Sequence, residues 1–158
     1  MSTRSLTSIN HGKGVEMPYD LIIGIDPDVD KSGFAIYSHE QKELKLAQFD
    51  LSDIFFELST ITMLHTALIR LEAGHKIKKT WQRRTVGVAK DIGRNNEIGS
   101  QIEKYLVKNN IPHELVPPFG GSQVNHDLFC KITGWDVKKR TNPETRVAGL
   151  LAFNCKSK

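Results

Sequence analysis

The stretch Leu21–Tyr37, "LIIGIDPDVDKSGFAIY", decides the fold. "DLIIGID" (20–26) is a short, nearly continuous apolar run, the pattern of a strand buried on both faces. "GFAIYS" (33–38) follows a turn rich in Asp, Ser and Gly and reads as its hairpin partner. The tip of this apolar hairpin carries Asp26, Asp28 and Asp30. Asp28 and Asp30 read as turn residues whose side chains cap local N–H groups. Asp26 is different, because an unpaired charge closing an apolar strand is costly.

Outward from the hairpin, "KELKLAQFD" (42–50) alternates at Leu44 and Leu46 and reads as a third strand with one wetter face. "SDIFFELSTITMLHT" (52–66) suits a packed helix, with Ser52 as its expected N-cap. "ALIRLEA" (67–73) reads as a fourth strand ending at Glu72. "NNEIGSQIEKYLVKNN" (95–110) is an amphipathic helix by the spacing of Ile98, Ile102, Tyr105 and Leu106. "HELVP" (113–117) is a short fifth strand stopped by Pro117 and Pro118. "HDLFCKITG" (126–134) is a brief helix ended by Gly134. "NPETRVAGLLAF" (142–153) is the last helix, capped by Asn142 with Pro143 at its first position. Three consecutive strands followed by alternating helices and strands imply an α/β fold with a mixed five-stranded sheet.

The chain has 158 residues, 39% hydrophobic and 25% charged, enough for one ordinary globular domain. Residues 1–18 are polar and read as a mobile N-terminal tail, leaving 19–158 as the domain. No apolar run approaches the ~18 residues of a membrane helix. Cys130 and Cys155 have no ligand-like spacing, which argues against a zinc site and for a reducing, cytoplasmic setting. The net charge is +4. Its distribution says more: Lys76, Lys78, Lys79, Arg83, Arg84, Lys90 and Arg94 stand against the single acid Asp91 between His75 and Arg94. Such a segment is either a solvated face or a surface for phosphates.

If strands one and four are parallel neighbours, Asp26 and Glu72 emerge at the same sheet edge. Carboxylates brought together repel unless protons or cations intervene. A hard divalent cation such as Mg²⁺ prefers such oxygens, and two ions can clamp a phosphodiester. Glu144 opens the last helix, where it either joins these acids or complements the helix N-terminus.

The strings "IGIDPDVDKSGFAI", "LEAG" followed by "HKIKKTW", "GRNNEIGSQIEKYL" and "KITGWDVKKRTNPETRVAGLLAF" together resemble the RuvC-type Holliday junction resolvases, nearest to their phage and prophage branch. The resemblance runs from Asp20 to Phe153. It implies a ribonuclease H-like fold and Mg²⁺- or Mn²⁺-dependent cutting of four-way DNA junctions, with two ions held by Asp26, Glu72 and Glu144. It also implies a homodimer in a bacterial or phage-infected cell, since a junction has two-fold symmetry. Ile98, Ile102 and Leu106 are then candidates for the dimer face or for core. Lys76, Lys78, Lys79, Arg83, Arg84 and Arg94 would meet phosphates. Trp81 would stack on an unpaired base or pack as a core or dimer contact. Lys131 is the candidate for neutralising charge on the phosphate. Gly33 leaves room for DNA backbone or for tight packing. One position departs from the family. The last helix there opens with two acids three residues apart, and the second falls on Val147, which cannot bind a cation. An impaired enzyme, or a protein that binds branched DNA without cutting it, is the alternative.

Overall fold

The computed structural model describes residues 18–77 and 86–153. The expected tail, Lys78, Lys79, Trp81, Arg83, Arg84 and Cys155 lie outside them, apart from Pro18 at the end of the tail. The elements in chain order are β1 (Leu21–Asp26), β2 (Ser32–Ser38), β3 (Glu43–Phe49), α1 (Leu51–Leu64), β4 (Ala67–Glu72), α2 (Val86–Lys108), β5 (His113–Val116), α3 (His126–Thr133) and α4 (Pro143–Ala152). Short 3₁₀ turns at Gly74–Lys76 and Gly121–Gln123 punctuate the loops. The sheet order is β3-β2-β1-β4-β5. β1 pairs antiparallel with β2, and β2 with β3, while β1–β4 and β4–β5 are parallel. This is an α/β fold with a mixed five-stranded sheet flanked by helices. The most apolar strand, β1, takes the central place that burial on both faces requires.

Side chains alternate across a strand, and the two faces are covered differently. Ile23, Ile25, Phe34, Ile69 and Leu71 meet Ile54, Leu58 and Ile61 of α1 and Ile102 and Leu106 of α2 in the larger core. The opposite face is covered by α4, where Ala148 and Ala152 pack on Ala35, flanked by Tyr37, Leu44 and Leu46. Small residues let this helix lie directly on the strands. A Cβ on Gly24 would fall on the Ala148 carbonyl, and one on Gly33 on the Glu144 carbonyl. Gly33 therefore serves tight packing within the chain. α3 leans on α4 through Phe129, whose ring occupies the space beside Gly149.

Three sequence expectations change. α1 is capped by Asp50, which accepts from the Asp53 N–H at 2.9 Å, and Ser52 only donates to that cap. A carboxylate two residues earlier outcompetes the hydroxyl for the helix N-terminus. α2 begins at Val86, well before Asn95, so Lys90 and Arg94 ride on a helix instead of a loop. Ile102 and Leu106 are fully buried, and Ile98 packs against the same core, so this stripe is core and not a dimer face. No helix among the described residues is long and apolar enough to cross a membrane.

Candidate metal and nucleic-acid site

Asp26 and Glu72 close two neighbouring parallel strands in the same direction. Both project toward α4. Asp26 is two residues from Gly24 and directly opposite Gly33, and both glycines abut α4. Glu72 is two residues from Arg70, whose Nη1 donates to the Leu151 carbonyl at 2.8 Å. The period-two rule gives each acid the face of its i−2 neighbour. The last β1–β4 pair is Ile25–Leu71. Asp26 instead pairs with Gly33 and Glu72 with Val116, so the two acids stand just past their shared ladder.

Glu144 reaches the same end of the sheet because α4 starts there. Asn142 caps the helix by accepting from the Thr145 N–H at 2.8 Å, and Thr145 Oγ1 accepts from the Asn142 N–H at 3.0 Å. Pro143 sits at the first helical position, where its missing N–H costs nothing. The first turn of α4 then rests on Gly33, the partner of Asp26.

The electrostatics follow from this convergence. Asp26 is pushed up from 3.8 to about 8, first by burial and then by Glu72, Glu144 and Asp28. Glu72 is raised as well, by burial. Every influence on Asp26 among the described residues favours the protonated form. The carboxylates are near enough to repel. Among the described residues they are not drawn into a ready-made group of three metal ligands. The donor set is made of carboxylate oxygens, which suits a hard divalent cation. In charge and chemistry these residues fit such an ion, which would take the place of the proton on Asp26.

The other expected residues fall in different places. Asp28 and Asp30 shape the β1–β2 turn: Asp28 Oδ1 accepts from the Asp30 N–H at 2.9 Å, and the Asp28 N–H donates to Ser32 Oγ at 3.0 Å. Val147 is 3% exposed. It packs against the turn at Gly121, where an added Cβ would lie 3.3 Å from its Cγ2. Position 147 is thus a buried apolar site. Lys131 is exposed on α3 and is not among the groups that act on Asp26. Arg94 is exposed on α2. Lys76 is exposed, but its Nζ pairs with Glu103 Oε1 at 3.0 Å.

Two features escaped the sequence reading. Lys138, Lys139 and Arg140 form an exposed basic turn just ahead of α4, with Lys139 Nζ 5.6 Å from the Trp135 ring centre. The run "KKR" beside a tryptophan was the available signal. The other is His75, which pairs with Glu103 beside the end of β4. No short motif announces that pair. Its only trace is the spacing of Asn95, Gly99 and Glu103, four residues apart on one helix.

No family model matches the chain, and no curated protein matches it. Among solved structures, the chain is similar to T. thermophilus RuvC in complex with a Holliday junction substrate. The TM-score is 0.51 at 12% sequence identity, covering 84% of this chain and 90% of that one. The chain therefore has a RuvC-like, ribonuclease H-like fold.

Proposed function

We propose that the chain is a structure-selective DNA endonuclease of the RuvC type, from its phage and prophage branch, which resolves four-way junctions by divalent-metal-dependent phosphodiester hydrolysis. The observation that carries the proposal is the convergence of Asp26, Glu72 and Glu144 at one sheet end, with Asp26 raised to about 8 by burial and then by the acids beside it. Buried acids of a structural kind are paired with cations or N–H donors. An acid pushed this far by burial and by its neighbours marks a candidate functional site. The RuvC-like fold, the basic residues from Lys76 to Arg94 and the basic turn before α4 support DNA as that partner.

In this reading Asp26, Glu72 and Glu144 hold Mg²⁺ or Mn²⁺, one or two ions. When bound, the ion supplies the positive charge that polarises the phosphate and favours attack by water. Asp26 must release its proton for this, so ion binding tightens as pH rises toward 8. The N-terminal end of the α4 dipole adds partial positive charge on the same side as the acids. Lys131 and the basic turn at 138–140 neutralise charge on the DNA backbone. Trp81 stacks on an unpaired base. Two chains in a homodimer present two sites to the two strands that must be nicked.

A second reading has a specific observation behind it. Val147 is buried under the Gly121 turn at the position where the resembled family carries its fourth acid. A chain with three acids in place of four binds its ion more weakly and cuts slowly, or only binds. A binding experiment tests the substrate claim for both readings. In EDTA, the protein should hold a four-way junction more tightly than a linear duplex of the same sequence. Equal affinity for the two would refute recognition of branched DNA.

A further inference from the structure

Asp26 and Glu72 lie one residue past the last pair shared by β1 and β4 and pair outward with Gly33 and Val116, so no direct pairing joins the two. The contacts of α2 join the turns that follow them. Asn95, Gly99 and Glu103 recur every fourth residue and share one helix face. Asn95 Oδ1 accepts from the Val29 N–H at 2.8 Å, gripping the turn that follows Asp26. Glu103 grips the turn that follows Glu72, through Oε2 on His75 Nε2 at 2.5 Å and Oε1 on Lys76 Nζ at 3.0 Å. Between them, Gly99 is where the two turns meet. A Cβ there would lie 2.8 Å from His75 Nδ1 and 3.4 Å from Pro27 Cγ.

The arrangement is built at a cost. The His75 side chain is 8% exposed, and its Nδ1 has no hydrogen-bond partner among the described residues. With the ring proton on Nε2, His75 donates to Glu103 and turns the Nδ1 lone pair toward Gly99. A buried ring nitrogen left without a partner is destabilising. Packing alone would be better served by an apolar residue. What the histidine adds over an apolar residue is the one directed hydrogen bond to Glu103.

We propose that the Asn95–Gly99–Glu103 stripe of α2 is a clamp that sets the separation of Asp26 and Glu72 by holding the turn after each. The inference rests on the reading of Asp26 and Glu72 as ion ligands and adds positioning residues for them. Glu103 acts through His75, and Asn95 through the Val29 amide. Neither touches the ion.

The test is Mn²⁺ affinity, measured by calorimetry on the DNA-free protein. Glu103→Ala should weaken Mn²⁺ binding about tenfold or more, as loss of a group that orients a ligand does. Glu103→Gln keeps an acceptor for His75 and should recover most of that loss. Asn95→Ala removes one hydrogen bond at an exposed site, so it folds even if Glu103→Ala does not, and should weaken binding in the same direction. Glu97→Ala, an exposed acid on the same helix, makes the same charge change off the stripe and should bind as the parent does. Asp26→Asn is run alongside. Mn²⁺ binding that ignores Asp26 overturns the functional reading and the clamp together. Binding that depends on Asp26 but is unchanged in Asn95→Ala and in folded Glu103→Ala overturns the clamp alone.

Discussion

Replacing Asp26 with Asn should make the ion-free protein more stable, by an amount that grows with pH. The carboxyl is raised from 3.8 to about 8 in the folded chain. Between those values the folded state keeps a proton that the unfolded state has released. Stability therefore falls as pH rises from about 4 toward 8 and is greatest below the unfolded value. Each pKa unit is worth about 1.4 kcal/mol. At pH 7, three units above the unfolded value, the penalty reaches about 4 kcal/mol as an upper bound. Water at this partly exposed carboxyl and relaxation of Glu72 and Glu144 bring the expected gain for Asp26→Asn to roughly 2–4 kcal/mol. For a domain of this size that is roughly 4–16 °C in Tm. Melts of parent and variant in EDTA, from pH 4.5 to 8.5, provide the comparison. Other titrating groups are common to both chains and cancel in the difference. The difference should be small at pH 4.5, widen to pH 8, and shrink when Mn²⁺ stabilises the parent alone. A difference that stays flat with pH would refute the claim that neighbouring acids and burial hold Asp26 protonated.

Junction binding in EDTA should weaken steeply with added salt, and joint replacement of Lys78, Lys79, Arg83 and Arg84 by Ala should lower affinity and flatten that slope; titrations by fluorescence anisotropy check both. Val147→Asp buries a carboxylate against the Gly121 turn, so it should destabilise the ion-free protein by several kcal/mol, about 2–5. With Mn²⁺ present that variant should cut junctions at least about tenfold faster than the parent, or ~1.4 kcal/mol off the barrier. Gly33→Ala drives a methyl into the Glu144 carbonyl, so a thermal melt should show a loss of about 1–3 kcal/mol, and Mn²⁺ affinity should fall as Glu144 shifts.

The sheet was legible because its signals are local and strong. The apolar run of β1, the alternation in β3 and the Asn142–Pro143 cap each follow from a few adjacent residues. The ends of elements were less legible. Asp50 displaced Ser52 as cap because two good cap residues lie two positions apart, and only the backbone path chooses between them. The start of α2 was hidden because "VGVAKDIGRN" carries two glycines and no apolar stripe, so periodicity begins only at Asn95. At the site, Asp26 and Glu72 stand out in the sequence as acids closing apolar strands, whereas Glu144, between Pro143 and Thr145, reads equally as an acid complementing a helix N-terminus. The burial of Val147 was not legible, because the turn that covers it comes from residues 119–121, far away in sequence. The clamp was illegible for the same reason. Asn95 and Glu103 read as ordinary polar positions until their partners Val29 and His75, from two other loops, are placed beside them.

The central claim is that three acids on one sheet end serve an ion-dependent cut in branched DNA. It is tested most directly by incubating end-labelled four-way junction and matched linear duplex with parent and Asp26→Asn protein, with EDTA, Mg²⁺ or Mn²⁺. Paired, symmetric nicks are expected in the junction alone, slow with the parent in Mg²⁺ or Mn²⁺, and absent with EDTA or with Asp26→Asn. Cutting of duplex as fast as junction, or cutting that persists without Asp26, would contradict it.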